Sequence, residues 1–160
     1  MALRIIRKER DPALRKRAVE VNNFSPRLLQ LLDDMVDTML QADGVGLAAP
    51  QVGISKRIIV YRDGDVVREI INPVIIKKQG EAVEVEGCLS LPGVLGEVPR
   101  CEYVEVKGVD RRQEPLYIKA EDMLARILQH ELDHLDGVLF TEKAIKVFSY
   151  QEIEKLGEEC

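Results

Sequence analysis

The sequence predicts a single α+β domain over residues 1–160, and three observations carry that prediction. An amphipathic run with clear start and stop signals lies near the front. A middle stretch switches to short β-branched runs separated by turn residues. A second helical pattern then carries the chain's only two histidines. A chain of 160 residues is long enough for one real core and short for two. No internal repeat, low-complexity tract or linker interrupts it.

The first helix is predicted from Pro26, with Ser25 as N-cap and proline at the first helical position. Leu28, Leu32, Met35, Val36 and Met39 recur at helical spacing as a core stripe, and Gly44 can stop the helix. Arg57–Arg62 and Val66–Asn72 read as a hairpin turning through Asp63-Gly64-Asp65 and ended by Asn72-Pro73. Val74–Lys78 and Ala82–Glu86, on either side of Gln79-Gly80, read as a second strand pair. Glu102–Val109 and Pro115–Lys119 read as a third, turning through Asp110–Gln113. The second helix starts near Ala120, with Glu121 and Asp122 in its first turn where acids suit the helix dipole, and runs to Gly137. Met123, Ile127, His130 and His134 share one of its faces, and Leu124, Leu128 and Leu135 widen the apolar stripe, which implies a buried helix. A third helix is expected over residues 149–156.

Composition excludes several function classes. Apolar residues make up 46% and charged residues 32%, as in an ordinary soluble protein. The 23 basic against 28 acidic side chains give a net charge of −5, with no broad basic stripe, so sequence-specific nucleic-acid binding is not expected. The locally basic stretch from Arg4 to Arg17 reads as solvated surface. No apolar run approaches the roughly 18 residues that cross a membrane, and Met1–Ile6 is too short and charged for a signal-peptide core. A cytoplasmic protein is expected. Three cysteines without paired spacing do not form a disulfide framework, which leaves metal binding or catalysis for any singled-out thiol.

The segment His130-Glu131-Leu132-Asp133-His134 carries the most chemistry. Residues i and i+4 of a helix share a face, so both imidazoles can reach one metal ion. Two histidines scattered at random would stand four apart roughly once in eighty trials, which favours a site over chance. A catalytic site needs a third protein ligand and an open position. One protease pattern would put it six residues past the second histidine, where Phe140 stands, and that reading fails. Glu152 or Glu154 in the tail remains possible by position. So does Cys88 in Glu86-Gly87-Cys88-Leu89-Ser90, whose plainer reading is a small buried hydrophobe. Cys101 reads as such a residue and Cys160 as an exposed thiol. The glycine-rich stretch Gly44–Gly53 lacks the Gly-Lys-Ser/Thr ending of a phosphate loop and follows a helix C-terminus, the wrong end for anions. Its small residues suggest close backbone approach, and Gln51 offers a neutral amide donor.

Together these segments closely resemble the peptide deformylase family. Its motifs G-x-G-x-A-A-x-Q, E-G-C-x-S and H-E-x-x-H match Gly44–Gln51, Glu86–Ser90 and His130–His134 in family order, and Asp11–Arg15 resembles its opening. The resemblance implies antiparallel sheets around a central helix bearing the two histidines. It also implies a metal-dependent hydrolase that removes the formyl group from N-terminal formylmethionine of new proteins and releases formate. Cys88, His130 and His134 would hold one Fe(II) per chain, with Zn(II) or Ni(II) as substitutes, and Glu131 would be the acid/base. Gln51 and the Leu89 N–H would hold the formyl oxygen. Val45 and Gly46 would pair with the substrate backbone, and Val45, Met123 and Ile127 would receive the methionine. Nascent chains, and transiently the ribosome, are the implied partners, in a bacterial-type cytoplasm or an organelle. One departure is visible: many members carry an Arg after the position of Pro92, where this chain reads Gly93-Val94-Leu95-Gly96. The rival readings are a zinc endopeptidase, which lacks a third ligand by its own pattern, and a non-catalytic metal-binding module, which calls for four ligands.

Overall fold

The computed structural model describes residues 2–151. Helix α1 spans Pro26–Gln41, and the Ser25 hydroxyl caps it by accepting from the Leu28 N–H. Among the described residues there are eight strands: β1 (Gly46–Ala48), β2 (Ile58–Asp63), β3 (Val66–Gln79), β4 (Ala82–Cys88), β5 (Leu91–Arg100), β6 (Tyr103–Val109), β7 (Pro115–Glu121) and, after helix α2 (Asp122–Leu135), β8 (Lys146–Ser149). The strands form two antiparallel sheets, ordered β1-β2-β3-β6-β7 and β4-β5-β8.

Strand alternation puts the larger sheet between the two helices. Ile58, Val60 and Ile71 pack with Leu28, Leu32, Met35 and Met39 of α1. Ile59, Tyr61 and Ile70 face the other way, onto Leu128, Leu132 and Leu135 of α2. The α2 helix thus has an apolar side on the sheet, as its periodicity predicts. A smaller core of Leu14, Leu91, Val98, Leu139 and Phe140 seats the three-stranded sheet.

The fold departs from the sequence reading in strand partnership. Asn72-Pro73 does not end a strand: β3 runs through it with a shift of register between Ile71 and Val74. Asn72 takes a left-handed φ of 55°, and its side-chain amide exchanges hydrogen bonds with the Val21 N–H (2.8 Å) and C=O (2.9 Å). The proline therefore sits at a bulge, where a missing N–H costs little. Val74–Lys78 and Ala82–Glu86 do not pair with each other. The first pairs with β6 and the second with β5, in different sheets. Strands β1, β5 and β8 were not expected. Of the helix expected over 149–156, Ser149 ends β8, Tyr150 and Gln151 are helical, and residues 152–156 lie outside the described residues.

Candidate metal centre

Three segments far apart in sequence meet here because α2 lies across the larger sheet while β4 ends beside it. Cys88 closes β4, and His130 and His134 sit one turn apart on α2. Their candidate ligand atoms all lie within 4.8 Å of one another. Cys88 Sγ is 3.4 Å from His134 Nε2. Two such atoms on one tetrahedral ion would stand about 3.6 Å apart, given metal–sulfur and metal–nitrogen bonds of about 2.3 and 2.1 Å. The set fits a metal on geometry and on chemistry. A thiolate with two imidazoles suits iron, nickel or zinc and not magnesium or calcium. Phe140, at the position of the rejected third histidine, stacks on His130 with ring centroids 6.1 Å apart. Glu152, Glu154 and Cys160 lie outside the described residues. Cys101 packs partly buried against the α2 core.

A charged network missing from the sequence reading orients the first imidazole. Glu86 is buried and accepts from His130 Nδ1 at 2.8 Å, which turns Nε2 toward the metal position. Burial alone would raise the Glu86 pKa, but hydrogen bonds from His130 and Arg100 override it and hold the carboxyl at about 2. Arg100 also donates to Asp133, and Arg126 donates to Glu86 at 2.6 Å and to the Val98 carbonyl at 2.8 Å. The available signal was Arg126, a full charge one turn before His130 on an apolar helix face. Burial opposes charge on His130, yet Cys88, Glu86 and Glu131 draw positive charge to it and raise its pKa. Burial, then the charges of His130 and Arg100, push His134 well below its usual value, so it stays a neutral donor.

Glu131 is 2% exposed, and burial raises its carboxyl to about 7. Its Oε2 is buried without a partner among the described residues, as is His134 Nδ1. Gly46 of β1 lies directly above it: a Cβ there would stand 2.7 Å from Glu131 Oε2. Gln51 is fixed by the backbone three residues before it, because its Oε1 accepts from the Ala48 N–H at 2.9 Å. Its Nε2 consequently faces Ser90 Oγ (3.1 Å) and Cys88 Sγ (3.7 Å). The N-terminal arm braces both this segment and the next. The Arg7 N–H donates to the Gln51 carbonyl at 2.7 Å, and Lys8 Nζ donates to the Leu89 carbonyl at 3.1 Å.

Glu131, Gln51, Leu89, Cys88 and His130 share one cavity of about 360 Å³ with Val45, Gly46, Met123 and Ile127, while His134 is buried behind it. Val45 is 54% and Met123 66% exposed at its rim. The Val45 carbonyl already accepts from the Arg62 N–H at 2.9 Å. Antiparallel alternation then turns the main-chain groups of Gly46 to the free edge of β1. A larger groove of about 1160 Å³, lined by Asp33, Tyr61, Arg111 and Leu124 among others, carries none of these groups.

An α+β fold whose helix pairs two histidines with a neighbouring thiol and a buried carboxylate defines a metallohydrolase class of site. A family model described as polypeptide deformylase matches residues 3–148, and the chain belongs to that family of metal-dependent hydrolases. It is 54% identical over 146 residues to the peptide deformylase of Alkaliphilus metalliredigens, covering 91% of this chain and 99% of that one. The crystal structure of the Thermotoga maritima peptide deformylase is similar at a TM-score of 0.89 and 41% identity, covering 91% of this chain and 100% of that one. An Acinetobacter baumannii class I type b peptide deformylase bound to Met-Ala-Ser has a TM-score of 0.84 and 36% identity, covering 89% and 98%.

Proposed function

We propose that the chain is a single catalytic domain that hydrolyses the formyl group from N-terminal formylmethionine of nascent chains. The observation that carries this reading is the grouping of Cys88, His130 and His134 within 4.8 Å, at a cavity that Cys88, His130 and Glu131 line, in a chain of the deformylase family. Cys88, His130 and His134 hold one Fe(II) ion, with Zn(II) or Ni(II) able to replace it. The bound ion supplies Lewis acidity for amide hydrolysis.

The protein groups divide the remaining work. Glu131 takes a proton from the attacking water, which adds to the formyl carbon, and delivers it to the amine nitrogen as the C–N bond breaks. Formate and a free N-terminus result. Burial raises the Glu131 carboxyl, which favours its taking up the proton. Gln51 Nε2 and the Leu89 N–H donate to the formyl oxygen as it gains charge; the Gln51 amide, held by the Ala48 N–H, exchanges its weak 3.7 Å contact with Cys88 Sγ for that oxygen. The substrate main chain extends β1 along the Gly46 edge, and its methionine enters between Val45, Met123 and Ile127. The proposed setting is the cytoplasm, with transient contact to the ribosome and no sequence-specific nucleic-acid contact. No helix among the described residues is long and apolar enough to cross a membrane.

The test pairs formate release from formyl-Met-Ala-Ser with elemental analysis of anaerobically purified protein. Wild type is expected to carry one iron and turn over. Glu131→Ala should keep the metal and lose at least about a hundredfold in kcat. Cys88→Ala should lose metal, and Cys101→Ala should keep both metal and turnover. A Cys88→Ala protein with stoichiometric metal and full activity overturns the ligand assignment.

A further inference from the structure

The larger groove, of about 1160 Å³, shares no lining residue with the metal cavity and has a buried polar group of its own. Tyr61 of β2 lines it, is 1% exposed, and its hydroxyl has no hydrogen-bond partner among the described residues. A buried hydroxyl left unbonded is costly, and at the wall of a groove it can be satisfied from outside the chain. Burial pushes the Tyr61 pKa up to about 12, with the Arg68 charge opposing and Asp63 adding, so the group stays protonated and offers a hydrogen. Leu116, Ile118 and Leu124 line the same groove and pack, partly buried, against the core cluster that holds Tyr61. Register sets Arg68 of β3 directly across from Tyr61, on the same face of the sheet. The Arg68 side chain is 54% exposed and reaches only Asp63, at 3.9 Å, a weak surface pair. Of the other charged groups lining the groove, Arg111 is engaged by Glu69 and Asp33, and Asp110 by the N–H groups of its own turn. That leaves Arg68, Arg112 and Lys119 against Asp37 and Asp63.

We infer that this groove is a second binding site, for a small carboxylate with an aromatic or aliphatic body. The carboxylate accepts from the Tyr61 hydroxyl and pairs with Arg68, taking the place of its long contact to Asp63. The body covers Leu116, Ile118 and Leu124 and removes them from water. A neutral ligand can satisfy the hydroxyl but leaves Arg68 unused, and a cation is repelled by Arg68 beside it. The groove therefore selects an anion, and the apolar floor selects against inorganic ones.

The test follows backbone amide shifts of the Zn(II)-loaded protein by NMR as 4-phenylbutyrate is added, with 4-phenylbutanamide as the neutral match. Shifts are expected at Tyr61, Arg68, Leu116 and Leu124, saturating with a Kd on the order of 1 mM, as suits a ligand of this size. The amide should bind at least about fivefold more weakly. Tyr61→Phe and Arg68→Gln should each weaken 4-phenylbutyrate by a similar factor, whereas Lys78→Gln, an exposed cation outside the groove, should bind it as wild type does. Without ligand, Tyr61→Phe should melt no lower than wild type, because it removes a buried hydroxyl that has no partner. Shifts confined to Val45, Gly46 and Met123 would put the carboxylate in the metal cavity and overturn the inference. So would the absence of shifts at about 10 mM, or wild-type affinity in either groove variant. A lower melting temperature for Tyr61→Phe would show that the hydroxyl is already bonded, and would overturn it as well.

Discussion

Gly46 has room for a hydrogen and nothing larger. Its missing Cβ leaves the space that the Glu131 carboxylate fills, and that carboxylate is too buried to swing aside cheaply. Gly46→Ala is therefore expected to displace Glu131 while leaving the ligands in place. Metal content should stay stoichiometric, kcat should fall by at least about tenfold, and KM should move less, because the loss falls on proton transfer. A variant with wild-type kcat would separate Gly46 from Glu131 function. At this scale the motif residues were legible, since two histidines at helical spacing, a cysteine after glycine and a lone glutamine each have a chemical reading. The roles of Glu86, Arg100 and Asp133 were not. They depend on β4, β5 and α2 meeting in space, and no local spacing encodes that meeting.

The elements themselves were read well where local signals are strong. Ser25-Pro26 and the leucine–methionine stripe mark α1, and the apolar face of α2 marks its buried side. Strand partners were read as sequence neighbours, which holds for β2 with β3 and for β6 with β7. It fails for Val74–Lys78 with Ala82–Glu86, which pair with β6 and β5 instead, because long-range partners are chosen by packing across the whole molecule. Asn72 shows how a break signal becomes a bulge when its side chain finds a distant backbone partner in Val21. Replacing Asn72 with Ala removes both hydrogen bonds and leaves at a φ of 55° a residue that tolerates the left-handed region less well than asparagine does. The expected loss is about 2–3 kcal/mol in urea unfolding, whereas Asn72→Gly should lose less because glycine tolerates that φ. Equal losses in the two variants would show that backbone strain contributes nothing at this bulge. Turnover per folded molecule should be unchanged in both, since Asn72 lies outside the cavity.

Across the whole molecule, one buried carboxylate ties together parts that the chain delivers separately. Glu86 comes from the small sheet, Arg100 from the strand beside it, and Arg126 and His130 from the helix that packs on the large sheet. Its pKa falls from 4.5 to about 2 on folding, against the upward push of burial, because His130 and Arg100 hydrogen-bond the charged form. A depressed carboxylate pKa contributes stability that is fully present above about pH 4.5 and is lost as pH falls toward 2. The contribution is on the order of 3 kcal/mol at most. Chelated, metal-free protein should therefore lose unfolding free energy steeply between pH 4.5 and 2, when protonation of Glu86 leaves Arg100 and Arg126 charged against a neutral acid. Glu86→Gln should be less stable at neutral pH, since buried Arg126 loses its counter-charge and Arg100 keeps only Asp133, yet flatter across the acid window. Glu84→Gln, an exposed neighbour on the same strand, should keep the wild-type slope. If Glu86→Gln retained the full acid slope, the acid sensitivity would lie elsewhere, and Glu86 would not be the joint between the two sheets.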